Sequence, residues 1–134
     1  MEGSSLNSHR MYRKSLALRD MSEAIAGYFS YNTDFFSLKR YGSFRDDISK
    51  SLVTDATLIT KEVEHVAQSQ SYSVRMRSLS FIHIMTQNIL AYCNGLEKDG
   101  VAEKEYLNLL RKEIKTFRSS FKKWRKSFQN GSDE

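Results

Sequence analysis

The chain lacks the residues that interrupt helices and those that crosslink small folds. Its 134 residues include no proline, only six glycines and a single cysteine, Cys93. A sheet protein needs many turns, and turns use proline and glycine, so this composition favours long helices. One cysteine cannot form an internal disulfide. We therefore expect a cytoplasmic protein in which Cys93 is a small core residue on a helix.

Long apolar runs are also missing from the sequence. No run of about twenty apolar residues occurs, so we predict no membrane-spanning helix and no membrane partner. The first ten residues are polar and lack the apolar stretch of a signal peptide. A length of 134 residues suits one domain with its own core. We predict a single domain over residues 1–134, with flexible segments at 1–10 and 129–134.

Apolar residues recur at helical spacing in the first half of the chain. A first helix is predicted over about 11–36, with an apolar face of Leu18, Met21, Ile25, Tyr28 and Phe35. After a connection at 37–42, Ser43 is expected to cap the second helix, with Asp46 in the reciprocal position of a capping box. The apolar face of this second helix consists of Phe44, Ile48, Leu52, Ile59, Val63 and Val66. Polar residues 68–71 then predict a tight turn.

The second half of the chain predicts two more helices. The third runs over about 72–94, stops at Asn94 and Gly95, and presents Leu79, Ile82, Met85, Ile89 and Cys93. A turn at Asp99 and Gly100 leads to the fourth helix, whose apolar residues alternate at intervals of three and four: Leu107, Leu110, Ile114, Phe117, Phe121, Trp124 and Phe128. Short connections make neighbouring helices antiparallel. The predicted fold is all-α, an antiparallel up-down-up-down four-helix bundle.

A basic strip follows the apolar seam of the fourth helix. It consists of Arg111, Lys115, Arg118, Lys122 and Arg125, each one position beyond a seam residue, with Lys112, Lys123 and Lys126 widening it. Lysine and arginine often form a merely solvated face, and cations near a helix C-terminus also complement its dipole. The dipole acts only over the last turn, however, and only Glu113 neutralises the strip. With a net charge of +5 and a pI near 9.3, the strip predicts binding to the phosphate backbone of RNA or DNA.

Catalytic and metal-binding patterns are sparse. Glu62 and His65 have the Glu-x-x-His spacing of di-iron bundles, but those sites need a second copy and two more glutamates. We predict no catalytic residues, no metal and no cofactor. One pattern suggests an enzyme. The spacing of Arg77 and His83 resembles that of the HEPN helical ribonucleases. This resemblance implies that the histidine acts as acid or base and that the arginine stabilises the charge on the phosphate.

A broader resemblance covers about residues 15–128. Arg40, Tyr41 and Gly42 precede the second helix, and Trp124-Arg125-Lys126-Ser127 closes the fourth. In this order of helices and motifs the chain resembles the four-helix-bundle superfamily of the accessory variability proteins of diversity-generating retroelements and of proteins encoded in ribosomal RNA intervening sequences. The resemblance implies a homo-oligomer, typically a pentamer, that binds nucleic acid through a basic surface. It also implies a reverse transcriptase partner and no active site.

Three functional hypotheses therefore remain open from the sequence. The first is a non-catalytic nucleic-acid-binding accessory protein, the second a helical ribonuclease, and the third a protein-only scaffold with an acidic partner. Phe81, Tyr92 and Tyr106 lie off the main seams, so they either meet a second subunit or flank the core.

Overall fold

Four long helices make up the computed structural model, which describes residues 2–31, 42–101 and 103–131. They are α1 (Glu2–Tyr31), α2 (Gly42–Gln68), α3 (Tyr72–Lys98) and α4 (Lys104–Gly131). No strand occurs in these ranges, and the all-α prediction is confirmed. None of the helices within them has the length and apolar character needed to cross a bilayer.

The helices pack as a ring in which each contacts its neighbours along the chain. Helix α1 lies against α2 and α4, and α3 lies against the same two helices. Contacts near helix ends show that neighbours run in opposite directions: His65 with Ser78 and Arg45 with Asp99 for α2 and α3, Glu97 with Arg111 for α3 and α4, and Ser8 with Trp124 for α1 and α4. The predicted up-down-up-down bundle is therefore confirmed.

Helix α4 contributes a continuous apolar row to the core. All seven seam residues from Leu107 to Phe128 are buried. The rings of Phe117 and Phe121 stack with centroids 6.3 Å apart, and Trp124 meets Phe128 edge to face at 5.3 Å. Such pairs add to the free energy gained from the buried area. The predicted seam is confirmed.

Helices α2 and α3 match their predicted faces except at the start of α2, where Ile48 is half-buried and Phe44 is exposed. The four members of the α2 face from Leu52 onward and all five members of the α3 face are buried. Phe44, however, is 49% exposed, and its predicted core position was wrong. The contact of Arg45 with Asp99 places the start of α2 level with the end of α3, so no turn of α3 remains to cover Phe44.

Helix α1 begins at Glu2, well before the predicted start at residue 11, so the first ten residues continue the helix. Its buried residues form a heptad pattern in which Ser8, Ser15 and Ser22 alternate with Met11, Leu18 and Ile25. The hydroxyl of Ser8 accepts a hydrogen bond from Trp124 Nε1 at 3.1 Å. Met21 and Tyr28 are only half-buried. Phe35 and the connection at 37–41 lie outside the described residues.

Helix ends depend on single residues. Ser71 caps α3, since its Oγ accepts from the backbone N–H of Val74 at 3.3 Å, and the predicted turn at 68–71 is confirmed. Helix α3 passes through Gly95, where a Cβ would meet Ile48 Cδ1 at 3.2 Å, so glycine serves close packing and the predicted stop there was wrong. Gly100, with φ +87°, makes the turn instead.

The two remaining boundaries differ slightly from expectation. Helix α2 begins at Gly42, so Ser43 lies in its first turn rather than before it. Helix α4 continues to Gly131, which places the start of the segment predicted to be flexible, 129–131, in the helix. Residues 132–134 lie outside the described part of the chain.

Candidate nucleic-acid interface

A cationic groove runs between α3 and α4. It encloses about 530 Å³ and is lined by His83 from α3 and by Lys115, Arg118, Ser119, Phe121, Lys122 and Arg125 from α4. We call it the α3–α4 groove. Four of the predicted binding residues therefore come together here. They do so because each follows a core residue of α4 by one position, which turns it about 100° from the core toward α3.

No acidic residue lines the α3–α4 groove. Within the described ranges the ion pairs involve Arg19, Arg45, His65 and Arg111, so the four groove cations form none. The Nε of Arg125 is buried and has no hydrogen-bond partner among the described residues. A buried donor without an acceptor is costly. These positive groups can therefore accept an anionic ligand without first breaking an ion pair.

Arg111 differs from the other predicted binding residues. Its Nη2 donates to Glu97 Oε1 at 2.6 Å and to Asn94 Oδ1 at 2.8 Å, both on α3. Its Nη1 donates to Asn108 Oδ1 at 3.0 Å, and the side chain is only 19% exposed. Three acceptors already occupy the guanidinium. The structure thus assigns Arg111 to the packing of α3 against α4, which the strip alone could not reveal.

The three widening lysines do not line the α3–α4 groove. Lys123 faces α1, where it lines a second depression with Ser120 and Trp124. Lys112 and Lys126 are exposed on α4. The predicted binding residues therefore include lysines outside the α3–α4 groove.

Helix α1 supplies cations that the sequence interpretation missed. Two adjoining depressions share Arg10 and Lys14, and we call them together the α1–α4 groove. They are lined by Leu6, Asn7, His9, Arg10, Met11, Arg13, Lys14 and Ala17 of α1 and by Glu113, Ser120, Lys123 and Trp124 of α4. Arg10 and Lys14 have the i, i+4 spacing of one helix face, but Arg10 lies in the segment 1–10 that the sequence predicts to be flexible.

The remaining sequence candidates do not form a catalytic or metal site. His83 lines the α3–α4 groove, whereas Arg77 is exposed and is not part of that lining. Glu62 and His65 face each other at 3.6 Å, with His65 Nδ1 also 3.5 Å from Ser78 Oγ. In the part of the chain that the structure describes, no group of three or more histidine, cysteine or acidic side chains is placed to hold a metal ion.

Two groups away from the grooves, the buried Cys93 and the half-buried Tyr92, have raised pKa values. Burial raises the pKa of the Cys93 thiol to about 11, although nearby Arg111 acts to lower it. Burial and the hydrogen bond that Tyr92 donates to Asp55 at 2.8 Å raise the pKa of Tyr92 to about 12. Both groups are therefore uncharged at neutral pH and serve the core and the contact of α2 with α3.

Charge is distributed unevenly around the bundle. Helix α4 carries nine lysines and arginines against two glutamates, whereas α2 carries five acids against three such cations. Helix α2 lies diagonally across the ring from α4. The described helices therefore place a basic side opposite a more acidic side.

Comparison of the chain with models of protein families, with curated proteins and with solved structures gave no match.

Proposed function

We propose that the protein is a non-catalytic nucleic-acid-binding accessory protein whose phosphate contacts lie in the α3–α4 groove. The observation that carries the proposal is the convergence of Lys115, Arg118, Lys122 and Arg125 without an acid among the lining residues. Lysine and arginine neutralise phosphates and release counterions, which supplies affinity without reading sequence. The seryl hydroxyl of Ser119 is a further donor to phosphate oxygens.

The proposal is tested by the salt dependence of binding. Fluorescence anisotropy with labelled 20-mers of RNA and DNA, two unrelated sequences of each, measures Kd between 50 and 300 mM KCl. Four contacts predict that log affinity falls against log salt with a slope of about −2.8 on single strands. Arg118→Glu with Lys122→Glu is expected to weaken binding to all sequences alike and to flatten the slope by about 1.4.

A charge-matched control separates the groove from general electrostatics. Lys50 and Lys61 are exposed on α2, so Lys50→Glu with Lys61→Glu changes the net charge equally on the opposite side. This variant is expected to lose much less affinity. Circular dichroism verifies that each variant folds. A folded Arg118→Glu, Lys122→Glu protein that binds as tightly as the parent would refute the proposal.

Partners and location are proposed on the resemblance and on composition. The family resemblance leads us to propose a homo-oligomer, pentameric in the usual family form, and association with a reverse transcriptase; the single buried Cys93 fits a cytoplasmic protein. Phe81 and Ile84 of α3 and Leu58 of α2 are exposed, and such surface is suited to subunit contacts. Tyr106 and Tyr92 are engaged instead with Tyr28 and Asp55. Light scattering that gives 15.6 kDa at tens of micromolar would refute the homo-oligomer.

A ribonuclease is the second candidate because His83 lies among the groove cations. An acid–base histidine must reach the reacting phosphate together with its stabilising arginine. Arg77 does not line the groove with it, which favours binding over cleavage. Cleavage of labelled RNA by the parent protein, abolished by His83→Ala, would support the ribonuclease instead.

A further inference from the structure

The α1–α4 groove is a second cationic surface on the opposite flank of the same helix. Its lining includes Arg10, Arg13, Lys14 and Lys123, with Glu113 as the one acid. None of these four cations forms an ion pair with a described residue, since the ion pairs within the described ranges involve Arg19, Arg45, His65 and Arg111. Helix α4 is therefore flanked on both sides by cations that are free to meet anions.

We propose that the two grooves hold the two phosphate strands of a B-form DNA duplex, with α4 lying in its major groove. This inference rests on the proposed function and extends it to a second groove and to one kind of nucleic acid. An α-helix with its side chains is about 10–12 Å across. The major groove of B-form DNA is about 12 Å wide and admits a helix between its two strands.

The polar residues of α4 are arranged in the same two-sided way. Ser119 lines the α3–α4 groove, and its neighbour Ser120 lines the α1–α4 groove. Each strand therefore meets one seryl hydroxyl in addition to its cations. From Lys115 to Arg125 the helix rises by about 15 Å, which is enough to follow a few successive phosphates.

The geometry also selects among nucleic acids. The major groove of A-form RNA is deep and narrow and does not accept a helix, so double-stranded RNA is expected to bind less tightly. The exposed ridge of α4 carries Lys112, Thr116 and Lys126, and Asn108 lies one turn earlier. The Oδ1 of Asn108 already accepts a hydrogen bond from Arg111. Lysine can contact the edge of guanine, so we expect at most a weak preference for guanine at Lys112 and Lys126.

The test compares the two grooves on duplex and single-stranded probes in 0.1 M salt. Arg10→Glu with Lys14→Glu removes contacts to one strand only, so affinity for a 20-base-pair DNA duplex is expected to fall on the order of 50-fold. Affinity for the single-stranded 20-mer is expected to change by less than about threefold, since one strand occupies the α3–α4 groove. The parent is expected to show a duplex salt slope of about −7 for eight contacts, against about −2.8 on the single strand.

Controls make each outcome decisive. Arg10→Gln with Lys14→Gln guards against misfolding by charge reversal, and Lys50→Glu with Lys61→Glu matches the change in charge. Unchanged duplex affinity in the folded α1 variants, equal losses on both probes, or tighter binding of double-stranded RNA than of DNA would each overturn the inference. If Arg118→Glu with Lys122→Glu binds every probe like the parent, the proposed function itself fails. If that variant loses affinity and the α1 variants do not, only the duplex inference fails.

Discussion

Arg111 Nη2 donates to Glu97 Oε1 at 2.6 Å and so joins α4 to α3 where the two helices meet near their turn. We predict that Arg111→Ala lowers the free energy of unfolding by about 1–3 kcal/mol, because charge-assisted hydrogen bonds are lost and Glu97 keeps its charge without a partner. Nucleic-acid affinity is expected to change little. Urea denaturation and anisotropy measure the two effects.

Lys115→Ala is the matched control, since Lys115 is exposed in the α3–α4 groove. It is expected to leave stability within about 0.5 kcal/mol and to weaken binding. If Arg111→Ala weakens binding as much as Lys115→Ala does, Arg111 contacts the nucleic acid as well.

Phe117 is the largest fully buried side chain among the residues that the structure describes. Phe117→Ala is expected to lower the free energy of unfolding by about 3–5 kcal/mol, through lost burial and the cavity left behind. Leu109→Ala, at a position 52% exposed on the same helix, is expected to cost less than about 0.5 kcal/mol. Similar urea midpoints for the two variants would contradict the assignment of the seam to the core.

Ionisation of the Cys93 thiol is expected to lower the stability of the protein at alkaline pH. Burial raises its pKa from 9.0 to about 11, so folding favours the protonated thiol. Its contribution is complete below pH 9 and is lost as the pH rises from 9 to 11, by up to about 2–3 kcal/mol. Tyr92 acts in the same direction, but its window opens only at pH 10, since its pKa rises from 10.0 to about 12.

Urea midpoints measured from pH 8 to 11 for the parent and for Cys93→Ala check this prediction. The parent is expected to lose stability more steeply than the variant between pH 9 and 10. Parallel curves would show that the thiol does not contribute to the pH dependence.

Substitution of glycine by alanine is expected to have opposite effects on stability at Gly27 and at Gly100. Gly27 lies within α1, and an added Cβ would meet nothing within 4 Å. Gly27→Ala is therefore expected to stabilise the protein by about 0.4–1 kcal/mol. Gly100 has φ +87°, so Gly100→Ala is expected to destabilise it by about 1–2 kcal/mol. Thermal unfolding that shifts in the same direction for both would contradict the turn geometry.

The sequence predicted α4 well because its core positions are occupied by large apolar residues at regular intervals. Helix α1 was harder, since Ser8, Ser15 and Ser22 occupy core positions that a hydrophobic pattern reads as polar. The predicted start at residue 11 is therefore nine residues later than the observed start at Glu2, and it leaves Arg10 outside the helix.

The role of Arg111 could not be predicted from the residue pattern of α4 alone. Its spacing is identical to that of Lys115 and Arg118, and only the position of Glu97 and Asn94 on α3 distinguishes it. Likewise, Gly95 reads as a helix stop until Ile48 is found beside it. Both depend on which helices become neighbours, a property of the assembled bundle.

Trp124 is the only tryptophan of the chain, and its indole N–H donates to Ser8. Its emission therefore reports whether the first turns of α1 are docked on α4. The same indole lines the α1–α4 groove beside Lys123 and Lys14. The fluorescence intensity of Trp124 is therefore expected to change when a polyanion enters that groove. This change is expected to be lost when α1 separates from the bundle.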